Sequence, residues 1–169
     1  MKLISATKDH IPAIQCLSDE IWPVTFKDIL SSAQISYMMD MMYSAKALKE
    51  QMDKLNHMYL LTHNGDCYVG YLSYEPHYKN YQWTKIHKIY VLPSSQGKGV
   101  GRFFLDGVAH IAVQNGDTEL SLNVNRNNRA IGFYEKMGFE IVDREDIDIG
   151  NGFLMEDYVM NKKLEINKN

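Results

Sequence analysis

Between Val91 and Arg102 the chain reads Val-Leu-Pro-Ser-Ser-Gln-Gly-Lys-Gly-Val-Gly-Arg, an apolar strand ending that passes through glycines into a helix-forming run. Glycine has no Cβ, so such a turn can adopt left-handed angles and let the backbone come close to a ligand. The helix that follows starts with amides that lack an intrahelical acceptor, at the positive end of the macrodipole. The pattern predicts an anion cradle, with a phosphate as the expected anion. Two common phosphate loops are excluded by residue type. Leu92 stands where a Walker A loop needs its first glycine, and Gly99 where it needs Ser or Thr. The third glycine of a dinucleotide fingerprint is replaced by Arg102 counting from Gly97, or by Phe104 counting from Gly99.

A second chemistry-bearing segment lies downstream. Ala130, Phe133, Tyr134 and Met137 fall at i, i+3, i+4 and i+7, one apolar helix face, and Gly138 is suited to end that helix in the left-handed region. Tyr134 therefore points inward with a phenol that needs a polar partner. In the run Trp83 to Leu92, strand alternation puts Lys85, His87, Ile89 and Val91 on one face and Ile86, Lys88 and Tyr90 on the other. His87 is either a proton acceptor or a half-buried strand histidine bonded to a neighbour.

Gln96, Gly99 and Gly101 after a strand ending in Val-Leu-Pro resemble the pyrophosphate loop of the GCN5-related N-acetyltransferase (GNAT) superfamily, which binds acetyl-coenzyme A. The stretch from Leu122 to Phe139 is similar to the same superfamily's strand, Asn-x-x-Ala helix start and Phe-Tyr-Glu-Lys-x-Gly-Phe ending, in the same order along the chain. The resemblance implies that Gln96, Gly97, Lys98, Gly99, Val100, Gly101 and Arg102 hold the diphosphate. It implies that the backbone of Ile89, Tyr90 and Val91 pairs with the pantetheine arm, and that one of its N–H groups polarises the acetyl carbonyl. Asn127, Ala130, Phe133, Tyr134 and Lys136 complete the coenzyme contacts that it implies. Asn127 also reads as a helix N-cap, and Lys136 and Arg102 as solvated surface charges.

An amine acceptor with a pKa of about 10.4 is almost wholly protonated at neutral pH, so something must take its proton before it attacks a thioester. The resemblance assigns Tyr134 as the acid that meets the departing coenzyme thiolate. Family members carry Glu at or near the His87 position, and His87 departs from that pattern. Either His87 or a chain of ordered water takes the proton. Cys16 and Cys67 have no activating neighbour in sequence, so direct transfer in a ternary complex is expected over an acyl-enzyme.

The elements that must position these groups follow from periodicity and breakers. A strand is expected over Lys2 to Thr7, then a helix capped at Asp9, with Pro12 in its first turn, that runs to about Trp22, where Pro23 disfavours continuation. Ile11, Ile14, Leu17 and Ile21 form its apolar stripe. Phe26 to Leu55 reads as two helices broken near Ser44. Strands follow at Met58 to Thr62 and Tyr68 to Tyr74, around the turn Asn64-Gly65-Asp66, and at Trp83 to Leu92. Then come a helix from Val100 to Asn115, a strand over Glu119 to Val124 and a helix over Asn127 to Met137. Strands Phe139 to Ile149 and Phe153 to Asn161 close the chain before a frayed tail from Lys162. The expected fold is α/β (α+β), the GNAT fold implied by the resemblance. It is a mixed central sheet of about seven strands flanked by about four to five helices, in a single domain over residues 1–169.

The 169 residues carry a formal net charge of −3, which argues against a nucleic-acid partner. The start has no apolar run long enough for a signal peptide, and no later stretch approaches a membrane span, so a cytoplasmic protein with no membrane partner is expected. Two cysteines give neither a metal spacing nor a disulfide framework, and each is expected to be a small buried apolar residue. No metal is expected.

Trp22, Phe26 and Tyr37 are candidates for the acceptor site, a surface that can hold the alkyl part of an amine; a core stripe is the alternative reading. Glu20, Asp40 and the acidic run Asp143 to Asp148 either attract a cation or form a solvated strand edge. The runs Thr25 to Tyr43 and Asp148 to Phe153 resemble bacterial polyamine acetyltransferases within the superfamily, by apolar and aromatic spacing alone. The expected partner is a small-molecule amine, first a polyamine, with a peptide or protein amine left open. A catalytically silent acetyl-coenzyme A binding module is the other functional class. A homodimer built on paired or swapped C-terminal strands leaves no mark in sequence, so oligomeric state also stays open.

Overall fold

The structure is a computed structural model that describes residues 1–65 and 67–165. Among the described residues it has seven strands and five α-helices, the composition expected of the fold. They divide into two compact units, Met1–Glu75 with His87–Gly107, and Pro76–Ile86 with Val108–Asn169. Strand β4 (Trp83–Val91) and helix α4 (Val100–Gln114) contribute residues to both.

The first unit holds β1 (Leu3–Ser5), α1 (Ile11–Phe26), α2 (Ser32–Tyr43), α3 (Ala45–Lys54), β2 (Met58–Asn64) and β3 (Cys67–Glu75), with the strands in the order β1-β2-β3-β4. The pairs β1·β2 and β2·β3 are antiparallel, the latter running from Met58↔Tyr74 to Asn64↔Cys67. Ile11, Ile14, Leu17 and Ile21 are buried as the stripe of α1 predicts. Asp9 is not its cap: it lies in a 3-10 turn over Lys8–His10, and His10 is the residue before the helix.

The helix also passes through Pro23 to Phe26, beyond the expected end at Trp22. Proline removes the N–H that would meet the Asp19 carbonyl, but Pro23 and Asp19 are both exposed and solvent can serve that carbonyl. Trp22 and Phe26, four apart, are both buried, and their packing holds the last turn. The region after it does break at Ser44, whose Oγ accepts from the Ala47 N–H at 3.2 Å to start α3. Ser31 caps α2 in the same way, so that helix begins later than Phe26.

The second unit holds β5 (Glu119–Asn125), α5 (Ile131–Lys136), β6 (Glu140–Gly150) and β7 (Phe153–Lys163), with strand order β4-β5-β7-β6. β4 and β5 run parallel from Trp83↔Glu119 to Ile86↔Leu122, while β5·β7 and β6·β7 are antiparallel, so the pairing is mixed. The hairpin between β6 and β7 turns through Gly150, Asn151 and Gly152, all at positive φ. β7 continues through Lys162 and Lys163, where a frayed tail was expected, because Glu119 and Leu120 pair with them. Residues 166–169 of that tail, and Asp66 of the β2–β3 turn, lie outside the described residues. Cys16 and Cys67 are exposed, not buried: the first faces out from α1 between the stripe positions, the second opens β3 beside the turn.

At Gly70 of β3 a Cβ would lie 2.7 Å from the Tyr90 carbonyl oxygen of β4 and 3.1 Å from the Phe104 ring. A backbone oxygen within a sheet cannot step aside. A Cβ at Gly107 would meet only the flexible end of Leu3. Gly70→Ala is therefore expected to cost about 2–3 kcal/mol in urea unfolding, and Gly107→Ala less. Equal losses would show that the Tyr90 carbonyl gives way as easily as a leucine methyl.

Candidate active site

The glycine loop of the first unit joins the end of β4 to the start of α4. After β4 ends at Val91, Pro93–Ser95 makes a 3-10 turn and the Gln96 amide side chain donates back to the Val91 carbonyl at 3.2 Å, which latches the loop onto the strand end. Gly97 and Gly99 have φ of +75° and +81°, and a Cβ on either would find nothing within 4 Å. Glycine is thus required there by backbone angle, and the space in front of the loop is open. The Gly99 carbonyl accepts from the Phe103 N–H at 3.0 Å, so Gly99 is the cap from which α4 starts. Val100 and Phe104 anchor the helix in the core, at 5% and 0% exposure, while Gln96, Lys98 and Arg102 are exposed. First-turn amides and two cations therefore share one end of α4, an arrangement that suits a phosphate.

β4 alternates as predicted, with Ile86 and Lys88 buried and Lys85 and His87 half-buried. His87 Nε2 lies 2.9 Å from Glu75 Oε2 at the end of β3, and the His57 ring stacks on the His87 ring at 3.8 Å and 14°. Burial, with the nearby Lys88 amine, pushes His57 down to about 4, so its imidazole is neutral at physiological pH. Burial also raises the Glu75 carboxyl. Lys88, on the opposite side of the strand, donates to Gln51 Oε1 at 2.7 Å and lies over the Tyr43 and Tyr59 rings. Desolvation brings its amine down to about 7. Gln51 Oε1 also accepts from the Tyr59 hydroxyl at 2.5 Å.

In the second unit, Tyr134 is buried in α5, packed against Phe133 and Phe139, and burial raises its pKa well above that of a free phenol. It holds its proton at neutral pH, as an acid must. α5 begins at Ile131, so Asn127 is not its cap. The Asn127 N–H instead donates to Asn125 Oδ1, and Asn128 Oδ1 accepts from the Ala130 N–H, because the chain first closes a turn after β5. Ala130 and Phe133 are half-buried and Lys136 is exposed. Most of the acidic run on β6 is solvated, and Arg126 grips its Asp146 at 2.6 Å together with Glu156 of β7 at 3.1 Å.

Trp22 and Phe26 are buried, with their rings against Tyr90, and the Trp22 indole N–H donates to the Tyr43 hydroxyl at 3.1 Å. Tyr37 is half-buried on α2. A surface hollow of about 340 Å³ beside these helices is lined by Gln15, Asp19, Met39, Asp40, Tyr43 and Ser44. Ile89, Tyr90 and Val91 end β4 half-buried, next to β3, where the Leu92 N–H donates to the Val69 carbonyl at 2.9 Å. Sequence reasoning missed Glu75, His57 and the burial of Lys88. The alternation of β4 marks Lys88 as the partner of Ile86 on a core face, a signal that was present and unused.

A model of the acetyltransferase (GNAT) family matches residues 20–139. A 61-residue segment is 36% identical to the peptidyl-lysine N-acetyltransferase YjaB of Escherichia coli, covering 36% of this chain and 38% of that protein. A 77-residue segment is 35% identical to the thialysine N-epsilon-acetyltransferase of Bos taurus, covering 44% and 45%. The match spans under half the length of these curated relatives. Among solved structures, the PaiA N-acetyltransferase of Thermoplasma acidophilum in complex with coenzyme A superposes with a TM-score of 0.78 at 22% identity, over 96% of this chain and 99% of that one. A GCN5-related N-acetyltransferase of Rhodopseudomonas palustris does so with a TM-score of 0.82 at 19% identity, over 96% and 95%. These two likenesses are of fold. Among the described residues, no helix is long and apolar enough to cross a membrane.

Gln51 is the shared acceptor of a buried amine and a buried phenol, so its loss strands both. Gln51→Leu is expected to cost about 2–4 kcal/mol in urea unfolding. Adding Lys88→Met should recover part of that loss, since the stranded amine is then gone. A double variant as unstable as the sum of the two singles would show that the amine and amide are not coupled.

Proposed function

Because the chain belongs to the acetyltransferase (GNAT) family, we propose that it is an acetyl-coenzyme A-dependent N-acetyltransferase acting on a primary amine carried by an alkyl chain. The observation that carries this reading is the cradle: two left-handed glycines, open space before them, and the first turn of α4 behind. The loop amides from Gly97 to Arg102 bind the diphosphate of the coenzyme, with Lys98 and Arg102 adding charge. The end of β4, Ile89 to Val91, lies along the pantetheine arm, and one of its N–H groups stabilises the oxyanion of the tetrahedral intermediate, an effect of a few kcal/mol.

The acceptor arrives as an ammonium ion, and His87 takes its proton. Glu75, bonded to its Nε2 at 2.9 Å, steadies the imidazolium that forms. The neutral amine then attacks the thioester carbon, and the C–S bond breaks as the tetrahedral intermediate collapses. The phenol of Tyr134, which burial keeps protonated, gives its proton to the departing thiolate. Asn127, Ala130, Phe133 and Lys136 keep their resemblance-based assignment to the coenzyme.

A polyamine is the first candidate acceptor. Asp19 and Asp40 around the hollow on α1 and α2 favour a ligand with more than one cationic centre. The similarity to enzymes named for peptidyl-lysine and thialysine supports a second reading, in which the same terminal amine belongs to a lysine-type side chain.

Purified protein with acetyl-coenzyme A should acetylate spermidine, detected by product mass, at a rate at least about a hundredfold above coenzyme hydrolysis without amine. Transfer to a lysine peptide with none to spermidine would select the second reading, and hydrolysis-level background with every amine would end both. Tyr134→Phe should lower kcat about a hundredfold while leaving the KM for acetyl-coenzyme A nearly unchanged. An unaltered kcat would remove that phenol as the acid.

A further inference from the structure

We infer that His57, Glu75 and His87 form a binding site for one divalent cation of borderline softness, with zinc as the best match. The reading above assigns no cation to the protein. Three segments far apart in the chain bring these residues into one row. The pair Met58↔Tyr74 sets the residue before β2 beside the residue after Tyr74, and β4 carries His87 to the same place. One ligand atom from each lies within 4.8 Å of the other two.

One atom of the trio lacks a partner. His57 Nδ1 is buried and makes no hydrogen bond, a deficit that costs about 1–3 kcal/mol in a folded protein and calls for an occupant. The Glu75 and His87 side chains keep 20% and 19% of their surface open, so an ion can reach the row from solvent.

Two imidazoles and one carboxylate are the donor set of zinc sites that keep a fourth position for water. Hard cations such as magnesium and calcium prefer all-oxygen shells, and no thiolate is present to select copper(I). Bonds of about 2.0–2.2 Å set ligand atoms about 3.3–3.6 Å apart around a tetrahedral ion, within the 4.8 Å that encloses the three. The rings, stacked at 3.8 Å and 14°, turn about their Cβ–Cγ bonds so that their nitrogens converge as the ion enters. Lys88 is the charge that opposes a cation here, and its amine is turned to Gln51 and to the Tyr43 and Tyr59 rings.

Occupancy would have a chemical consequence. An ion on Nε2 of His87 takes that nitrogen's electron pair and its bond to Glu75, and the one ring proton then resides on Nδ1, so the imidazole can no longer accept a proton. This consequence rests on the proposed transferase reading, whereas the binding itself does not.

The test starts from a Cys16→Ser/Cys67→Ser parent, because both thiols are exposed and would bind zinc themselves. Cobalt(II) titrated into this protein without coenzyme should give about one equivalent of tetrahedral visible absorption, discharged by zinc. His57→Phe, which keeps a ring on the stack, and Glu75→Gln should each weaken binding at least about tenfold, with far-UV circular dichroism checking the fold of both. No visible bands in the parent, or unchanged affinity in a folded variant, would overturn the site. If the transferase activity is found, zinc should slow it in the parent and not in His57→Phe. Cobalt binding with no transfer to any amine would sink the function while the metal site stands.

Discussion

The short turn that carries β4 into α4 depends on a backbone that enters the left-handed region. Gly97 at +75° and Gly99 at +81° meet that condition. Side-chain-bearing residues at these angles would cost about 1–2 kcal/mol each, and their Cβ atoms would stand in the open space before the loop. The turn works because both of its ends are held. Upstream, β3 approaches β4 so closely at Gly70 that no side chain fits, and Gln96 ties the loop back to Val91. Downstream, Val100 and Phe104 seat α4 in the core. The amides of the first turn then point where the fold requires, and the chemistry of the loop follows from that placement.

β4 divides its polar residues by alternation, and burial does the rest. Lys88 meets Gln51 and Tyr43 of the helices and Tyr59 of β2, and desolvation removes much of its preference for charge. His87 faces the other way and meets Glu75. The same physical effect, loss of hydration, lowers the basic groups His57 and Lys88 and raises the acids Glu75 and Tyr134. In both units burial has moved titratable groups toward their neutral forms.

The family match ends at Phe139, and the closing hairpin β6–β7 lies beyond it. That hairpin carries the acidic run, and its strand β6 is exposed along almost its whole length. Arg126 and Asn123 answer part of this charge, through Asp146 and Glu156 and through Glu145. The glycine loop and the helix that follows it lie within the matched region, and the hairpin lies outside it.

Short-range rules made much of the protein legible from its residues alone. The glycine loop, the stripe of α1, the break at Ser44, the alternation of β4 and the inward phenol of Tyr134 each depend on angles and spacings within a few positions, and each is found in the structure. Elsewhere tertiary packing decided. Pro23 did not end α1 because Trp22 and Phe26 pack on both sides of it, and Asn127 lost its expected cap because the chain after β5 closes a turn first. The row of His57, Glu75 and His87 depends on the register of three strands, and neither their spacing in sequence nor their residue types announces it. Backbone geometry is a local property that residue type can dictate, whereas the meeting of distant side chains and the hydration they lose exist only once the strands have paired.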